Sequence, residues 1–243
     1  MNFYGKSDVG KVRTSNQDGF LFHDYGDGRS FALVCDGMGG HNGGNVASEM
    51  ALEEIRDYLT GEERLVSFGD DYEGLILSAI RRANDKIFVR SLKDSSLRGM
   101  GTTVVLAFFD GERVLIAHVG DSRAYLFRSG KLSLLTTDHS LVQEMVLSGE
   151  ITDKEAEKHP YRNVITRAVG TGTESEVDFD WAEFDDGILI LCSDGLSNTV
   201  SFFDMEKILR KNPAEKLCDI FVHHANQNGG NDNITVVVAE KED

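Results

Sequence analysis

Proline is nearly absent from this chain, two in 243 residues, and no Pro/Ser/Gly-rich tract divides it, so nothing marks an interdomain linker and the chain reads as one domain, 1–243. Cysteine is almost as scarce. The three present are an odd number, and Cys35 and Cys192 lie inside apolar runs, which excludes a disulfide framework and suits small buried hydrophobes in a reduced compartment. No apolar run approaches the roughly 20 residues that span a bilayer, and Met1 to Gly10 lacks the basic-then-apolar order of a signal peptide. These absences predict a cytoplasmic protein with no membrane partner. Basic residues are also in deficit: 25 Lys and Arg stand against 41 Asp and Glu, a net charge of −16. Such a surface repels nucleic acid phosphates and anionic lipid, so no nucleic acid partner is expected either.

With 40% hydrophobic residues the chain can bury a substantial core. Six short β-branched or aromatic segments read as strands: Arg29 to Cys35, Thr102 to Phe109, Arg113 to Val119, Ser122 to Phe127, Ile188 to Cys192 and Ile234 to Ala239. Turn dipeptides at Asp110-Gly111 and Ser129-Gly130 separate apolar runs and predict antiparallel hairpins. Helical spacing appears over Asn45 to Leu59 and over Leu75 to Ile87. A third helix is expected from Pro213, in a first-turn position, to Gln227, before the stop signal Asn228-Gly229-Gly230. Grouped helices and hairpin-joined strands argue for an α+β fold. The polar stretch Asp138 to Val164, with two short helical pieces, reads as a surface insertion.

Several apolar strands end in aspartate. Ala32 to Cys35 runs into Asp36-Gly37, Ile188 to Ser193 into Asp194-Gly195, Val114 to Val119 into Gly120-Asp121, and Asp232-Asn233 precedes Ile234. Strand ends on a rigid scaffold can deliver distant carboxylates to one place. Clustered carboxylates repel one another unless a cation neutralises them, and oxygen-only ligation selects Mg²⁺ or Mn²⁺ over Zn²⁺, with Gly37 able to offer its carbonyl. Any one Asp-Gly is more simply a hairpin turn, as at Asp110-Gly111; the weight lies in the set. The run Gly39 to Gly44 lacks the spacing of a nucleotide-binding loop and reads as a tight strand-to-helix turn. Arg13 is either an ordinary surface arginine or, beside a metal site, a planar guanidinium suited to bidentate phosphate binding.

Arg13-x-x-Asn16-Gln17-Asp18, Asp36-Gly-Met-Gly-Gly-His41, Gly101-Thr-Thr, Gly120-Asp-Ser-Arg123, Ser193-Asp-Gly and Asp232-Asn233 follow one another in that order. This series closely resembles the PPM family of metal-dependent (type 2C) Ser/Thr protein phosphatases, in its compact bacterial branch, over nearly the whole chain. The resemblance implies a four-layer α-β-β-α sandwich, two packed antiparallel sheets flanked by helices, with residues 138–164 as a flap that helps select substrates. It implies that Asp36, Asp194 and Asp232 hold a first Mn²⁺ or Mg²⁺, that Asp36 and the Gly37 carbonyl hold a second, and that Asp121 with Asp194 forms a weaker third site. Asp18 is placed in or just behind the ligand shell, and Arg13 on the substrate phosphate. Hydrolysis would proceed by a metal-activated water without a phosphoenzyme, on phosphoserine and phosphothreonine, opposing bacterial Ser/Thr kinases. Met38 stands where animal members carry histidine, leaving His41 as the nearest candidate acid for the leaving group; a role in shaping the Gly-rich turn, or a metal-bound water as acid, are the alternatives. Gln17 replaces the glutamate of animal members. A non-catalytic pseudophosphatase would have lost an aspartate or the arginine, and none is missing. A monomer is expected.

Overall fold

The structure is a computed structural model and describes residues 1–241, the side chains of residues 41, 42 and 62 lying outside that description. In chain order the elements are β1 (Asn2–Asp8), β2 (Asp18–Asp24), β3 (Arg29–Met38), α1 (Gly40–Leu59), α2 (Glu62–Phe68), α3 (Tyr72–Lys93), β4 (Gly101–Thr102), β5 (Val104–Asp110), β6 (Arg113–Val119), β7 (Arg123–Arg128), β8 (Lys131–Leu134), α4 (Leu141–Leu147), α5 (Asp153–Ala156), β9 (Asp178–Glu183), β10 (Ile188–Cys192), α6 (Asp194–Ser197), α7 (Phe202–Leu209), α8 (Ala214–Gln227) and β11 (Ile234–Glu240).

All pairings are antiparallel. One sheet runs β1-β11-β10-β7-β8, the other β2-β3-β5-β6-β9 with β4 added beside β3. Strand pleating explains the layers: on β3, Phe31, Leu33 and Cys35 pack with Ile55, Leu59, Ile80 and Ile87 of α1 and α3. The alternate residues Ala32 and Val34 meet Val105, Ile116, Leu191 and Val237 between the sheets. On the far side, α7 and α8 cover the first sheet through Met205, Leu217 and Phe221 against Ile190, Val236 and Val238. The order helix, sheet, sheet, helix is therefore the expected four-layer sandwich. All three cysteines are free and buried, as small hydrophobes.

Several elements differ from the sequence reading, α3 running beyond Leu75 to Ile87 at both ends. Helix α1 starts at Gly40, not Asn45, because the glycines are its first turn; a Cβ at Gly37 would lie 2.0 Å from the Gly44 carbonyl oxygen, so only glycine lets β3 and α1 approach this closely. Pro213 is the N-cap of α8, one position before the first helical residue. Strands β1, β2 and β9 were not recognised by pattern. The expected turns are present at Gly111 (φ 64°) and at Ser129-Gly130 (φ 52° and 75°), the latter the type I′ signature. Residues 138–164 carry α4 and α5, capped by Ser140 and by a Thr152/Glu155 capping box. The segment closes on itself where the Leu141 N–H donates to the Val164 carbonyl at 2.9 Å and Ser140 bridges Ile165.

Candidate metal centre

The strand ends bring five of the six aspartates and glycine singled out from sequence to one cavity of 690 Å³: Asp36, Gly37, Asp121, Asp194 and Asp232 line it, and so does Arg13. Each carboxylate is half-buried, the position of a ligand on the floor of an open cleft. Asp36 leaves β3 directly opposite Asp18 of β2. Its peptide is fixed from two sides: the Asp36 N–H donates to Thr103 Oγ1 at 3.0 Å, and its carbonyl accepts from Thr102 Oγ1 at 2.9 Å and from the Thr103 N–H at 2.8 Å. Asp194 opens α6, where Asn198 Nδ2 donates to its Oδ2 at 3.1 Å. A Cβ at Gly195 would fall 1.9 Å from the Asn233 carbonyl oxygen; glycine there is what lets the Asp194 turn press against the Asp232-Asn233 loop.

Asp232 accepts at Oδ1 from the Asn233 N–H (2.9 Å) and at Oδ2 from Arg13 Nη2 (2.7 Å). Asn233 carries the Arg13 loop. Its Oδ1 accepts from the Gln17 N–H at 2.8 Å, and its Nδ2 donates to the carbonyls of Val9 and Ser15, each at 3.0 Å. Because Asn233 is buried, Asn233→Ala removes its three bonds to the part-buried backbone of Val9, Ser15 and Gln17, expected to cost about 1–2 kcal/mol. A urea-denaturation midpoint equal to that of the parent protein would show that the loop is held otherwise.

Asp18 does not line the cavity. It lies behind Asp36, accepting from Ser193 Oγ at 2.7 Å, while its Oδ1 is buried with no partner. His41, the candidate acid, has its side chain outside the described residues. Thr103 and Ser193 belong to the motifs Gly101-Thr-Thr and Ser193-Asp-Gly, which mark their segments without naming a bond, and Asn198 lies four residues after Asp194; sequence offers no signal that joins Thr103 to the distant Asp36.

The electrostatics are those of a site built for a cation. Burial, then the charges of Asp18, Asp194, Asp121 and Asp232, holds the Asp36 carboxyl well above its usual range. Burial and the neighbouring Asp121, Asp232 and Asp18 push Asp194 up to about 8. Asp18 is raised to about 6 by burial, against the lowering hydrogen bonds of Ser193 and Thr235, and Asp121 to about 6 by burial and Asp138. A set of carboxylates that resists ionising together, with a buried orphaned oxygen behind it and a carbonyl beside it, fits hard divalent ions with oxygen preference.

Residues 9–236 match the family model described as protein phosphatase 2C. The chain is 39% identical over 239 residues to the serine/threonine phosphatase stp of Listeria monocytogenes, covering 98% of this chain and 94% of that protein. It is 37% identical over 235 residues to protein phosphatase PhpP of Streptococcus pneumoniae, covering 96% and 94%. Among solved structures, the Mycobacterium tuberculosis serine/threonine phosphatase PstP/Ppp superposes with a TM-score of 0.90 at 35% identity, over 100% of this chain and 99% of that one. The catalytic domain of serine/threonine protein phosphatase PstP in complex with two manganese ions superposes at 0.87 with 33% identity, over 100% and 98%.

Proposed function

From the chain's membership of the protein phosphatase 2C family, we propose how its own residues carry out the hydrolysis of phosphoserine and phosphothreonine. The protein is a metal-dependent serine/threonine phosphatase of the bacterial type. Asp36, Asp194 and Asp232 hold one Mn²⁺ or Mg²⁺, Asp36 and the Gly37 carbonyl a second, and Asp121 with Asp194 a weaker third, with Asp18 supporting Asp36 from behind. When bound, these ions lower the pKa of water and neutralise phosphoryl charge.

The chain's residues do the rest. Arg13 sits half-exposed on the cavity wall and can turn from Asp232 Oδ2 to two phosphoryl oxygens, stabilising the charge that develops there. Thr103 and Asn198 hold Asp36 and Asp194 in fixed orientations, so little reorganisation is needed when substrate arrives. Asn163, within the 138–164 segment, and the following Ile165 line the same cavity, which supports reading that segment as a flap beside the peptide that flanks the phosphorylated residue, in a single 1–243 phosphatase domain. The substrates are phosphoproteins produced by a Ser/Thr kinase, and the phosphatase acts as a monomer. No helix among the described residues is long and apolar enough to cross a membrane.

The observation that carries this reading is the convergence of Asp36, Asp194 and Asp232, from three distant parts of the chain, on a cavity that also holds Arg13. The direct test is hydrolysis of a phosphothreonine peptide by metal-stripped protein with Mn²⁺, Mg²⁺, Zn²⁺ or Ca²⁺ added back. Recovery with Mn²⁺ or Mg²⁺ is expected, and folded protein inert with every metal would overturn it. For Arg13→Ala, KM for the phosphopeptide is expected to rise about tenfold or more, the loss of a charge-assisted bond to phosphate, with a smaller change in kcat. An unchanged KM would remove Arg13 from the phosphate.

A further inference from the structure

Away from the cavity, His118, His139 and Asp178 place one ligand atom each within 4.8 Å of one another, and His118 Nδ1 is buried without a partner. The geometry speaks against a metal there. An ion bound by two imidazoles must lie in the plane of each ring, whereas these rings stack at 4.5 Å with only 22° between their planes. The place of a cation is already taken by Arg167, whose Nη1 donates to Asp178 Oδ1 at 2.7 Å and stands 3.3 Å from His139 Nε2.

What the cluster does is fix one histidine ring. His139 and Gly120 exchange two bonds: the His139 N–H donates to the Gly120 carbonyl at 3.0 Å, and the Gly120 N–H donates to His139 Nδ1 at 3.1 Å. An Nδ1 that accepts must be unprotonated, so the proton is on Nε2, which faces Asp178 Oδ2 at 3.1 Å. The residue after Gly120 is Asp121. Beyond it, Ser122 Oγ meets Thr103 Oγ1 at 2.7 Å, the same Thr103 that receives the Asp36 N–H. The turn 120–122 is thus fastened at one end by His139 and at the other by the residue that orients Asp36.

We propose that His139 is a positioning residue for the weak third metal site: its Nδ1 holds the Gly120 N–H and so aims the Asp121 carboxylate into the cavity. This rests on the reading of Asp121 as a ligand of that site. Ligand-orienting partners of this kind change metal affinity by about 10- to 100-fold when removed.

Asparagine and glutamine separate the two ends of the ring. Asn at 139 places an acceptor near Nδ1 and keeps the Gly120 bond; Gln places a donor near Nε2 and keeps Asp178 but loses Gly120. Free Mn²⁺ is counted by electron paramagnetic resonance during titration of wild type, His139→Asn, His139→Gln and Asp121→Asn, with thermal midpoints recorded for each. The weak-site dissociation constant is expected to stay within about threefold of wild type in His139→Asn and to rise at least about tenfold in His139→Gln and Asp121→Asn. Equal constants in the Asn and Gln variants, with Asp121→Asn weakened, overturn the part given to His139 alone. A weak site that Asp121→Asn leaves unchanged overturns the ligand reading beneath it and the proposal together. His139→Ala, which removes the Nδ1 acceptor without placing a donor in the cluster, is the second arm should the Gln variant fail to fold. Its constant is expected to rise at least about tenfold, and a constant within about threefold of wild type would overturn the part given to His139.

Discussion

Asp36→Asn is expected to abolish metal-dependent turnover, by about a thousandfold or more, while leaving a folded protein. Asp36 is the aspartate that the proposed arrangement asks to touch two ions at once. Asparagine matches its size but brings no charge, and losing several kcal/mol of transition-state charge stabilisation corresponds to a rate factor of that order. The fold should tolerate the change because the backbone bonds of residue 36 to Thr102 and Thr103 do not involve its carboxylate, and because one member of a mutually repelling group has been neutralised. Asp194→Asn should behave alike. Assays with both a phosphothreonine peptide and p-nitrophenyl phosphate distinguish a metal-centre defect, which lowers both, from a substrate-docking defect, which spares the small ester. Parental activity in Asp36→Asn would remove that residue from the centre.

The strands that could be read from sequence and those that could not divide by position in the sheets. The six segments recognised by β-branched and apolar content became β3, β5, β6, β7, β10 and β11, interior strands covered on both faces, where almost every residue must be apolar. The four edges are β1, β8, β2 and β9. Three of them, Asn2–Asp8, Asp18–Asp24 and Asp178–Glu183, each carry one or two aspartates and no β-branched residue, with a glycine in the first two; charge on an edge guards against pairing with another chain and masks the strand pattern. Only β8 was implied, by the Ser129-Gly130 turn.

The same contrast holds in the centre. An aspartate at the end of an interior strand announces itself, so Asp36, Asp121 and Asp194 were visible. The bonds that orient them join residues far apart in sequence with no period between: Thr103 to Asp36, Asn233 to the Arg13 loop, His139 to Gly120. Those depend on how the sheets pack, which no local pattern encodes.

The crowding of carboxylates makes the metal-free protein's stability run opposite to that of most acidic proteins. Asp18 and Asp121 are raised from 3.8 to about 6, and Asp194 from 3.8 to about 8. Between about pH 4 and 8 the folded chain therefore keeps protons that the unfolded chain has released. Stability rises with pH only where the unfolded state binds more protons, so here it falls as pH rises through that window; the two-unit shift of a single group amounts to on the order of 3 kcal/mol. Summed over the three groups this is several kcal/mol, so the thermal midpoint of chelator-treated protein is expected to drop by on the order of 10–20 °C from pH 5 to pH 8, given about 2–4 °C per kcal/mol at this size. Mn²⁺ should restore the midpoint at pH 8 more than at pH 5, because binding displaces the protons that the centre holds at low pH. Carboxylates whose pKa is lowered by ion pairs that outweigh their burial, such as the half-buried Glu54 beside Lys86 and Arg82, act in the other direction. The Asp194→Asn variant isolates the centre: it should flatten the slope between pH 6 and 8. A metal-free midpoint that climbs with pH across this range, or a slope untouched by Asp194→Asn, would mean that the carboxylates are not held together in the absence of metal.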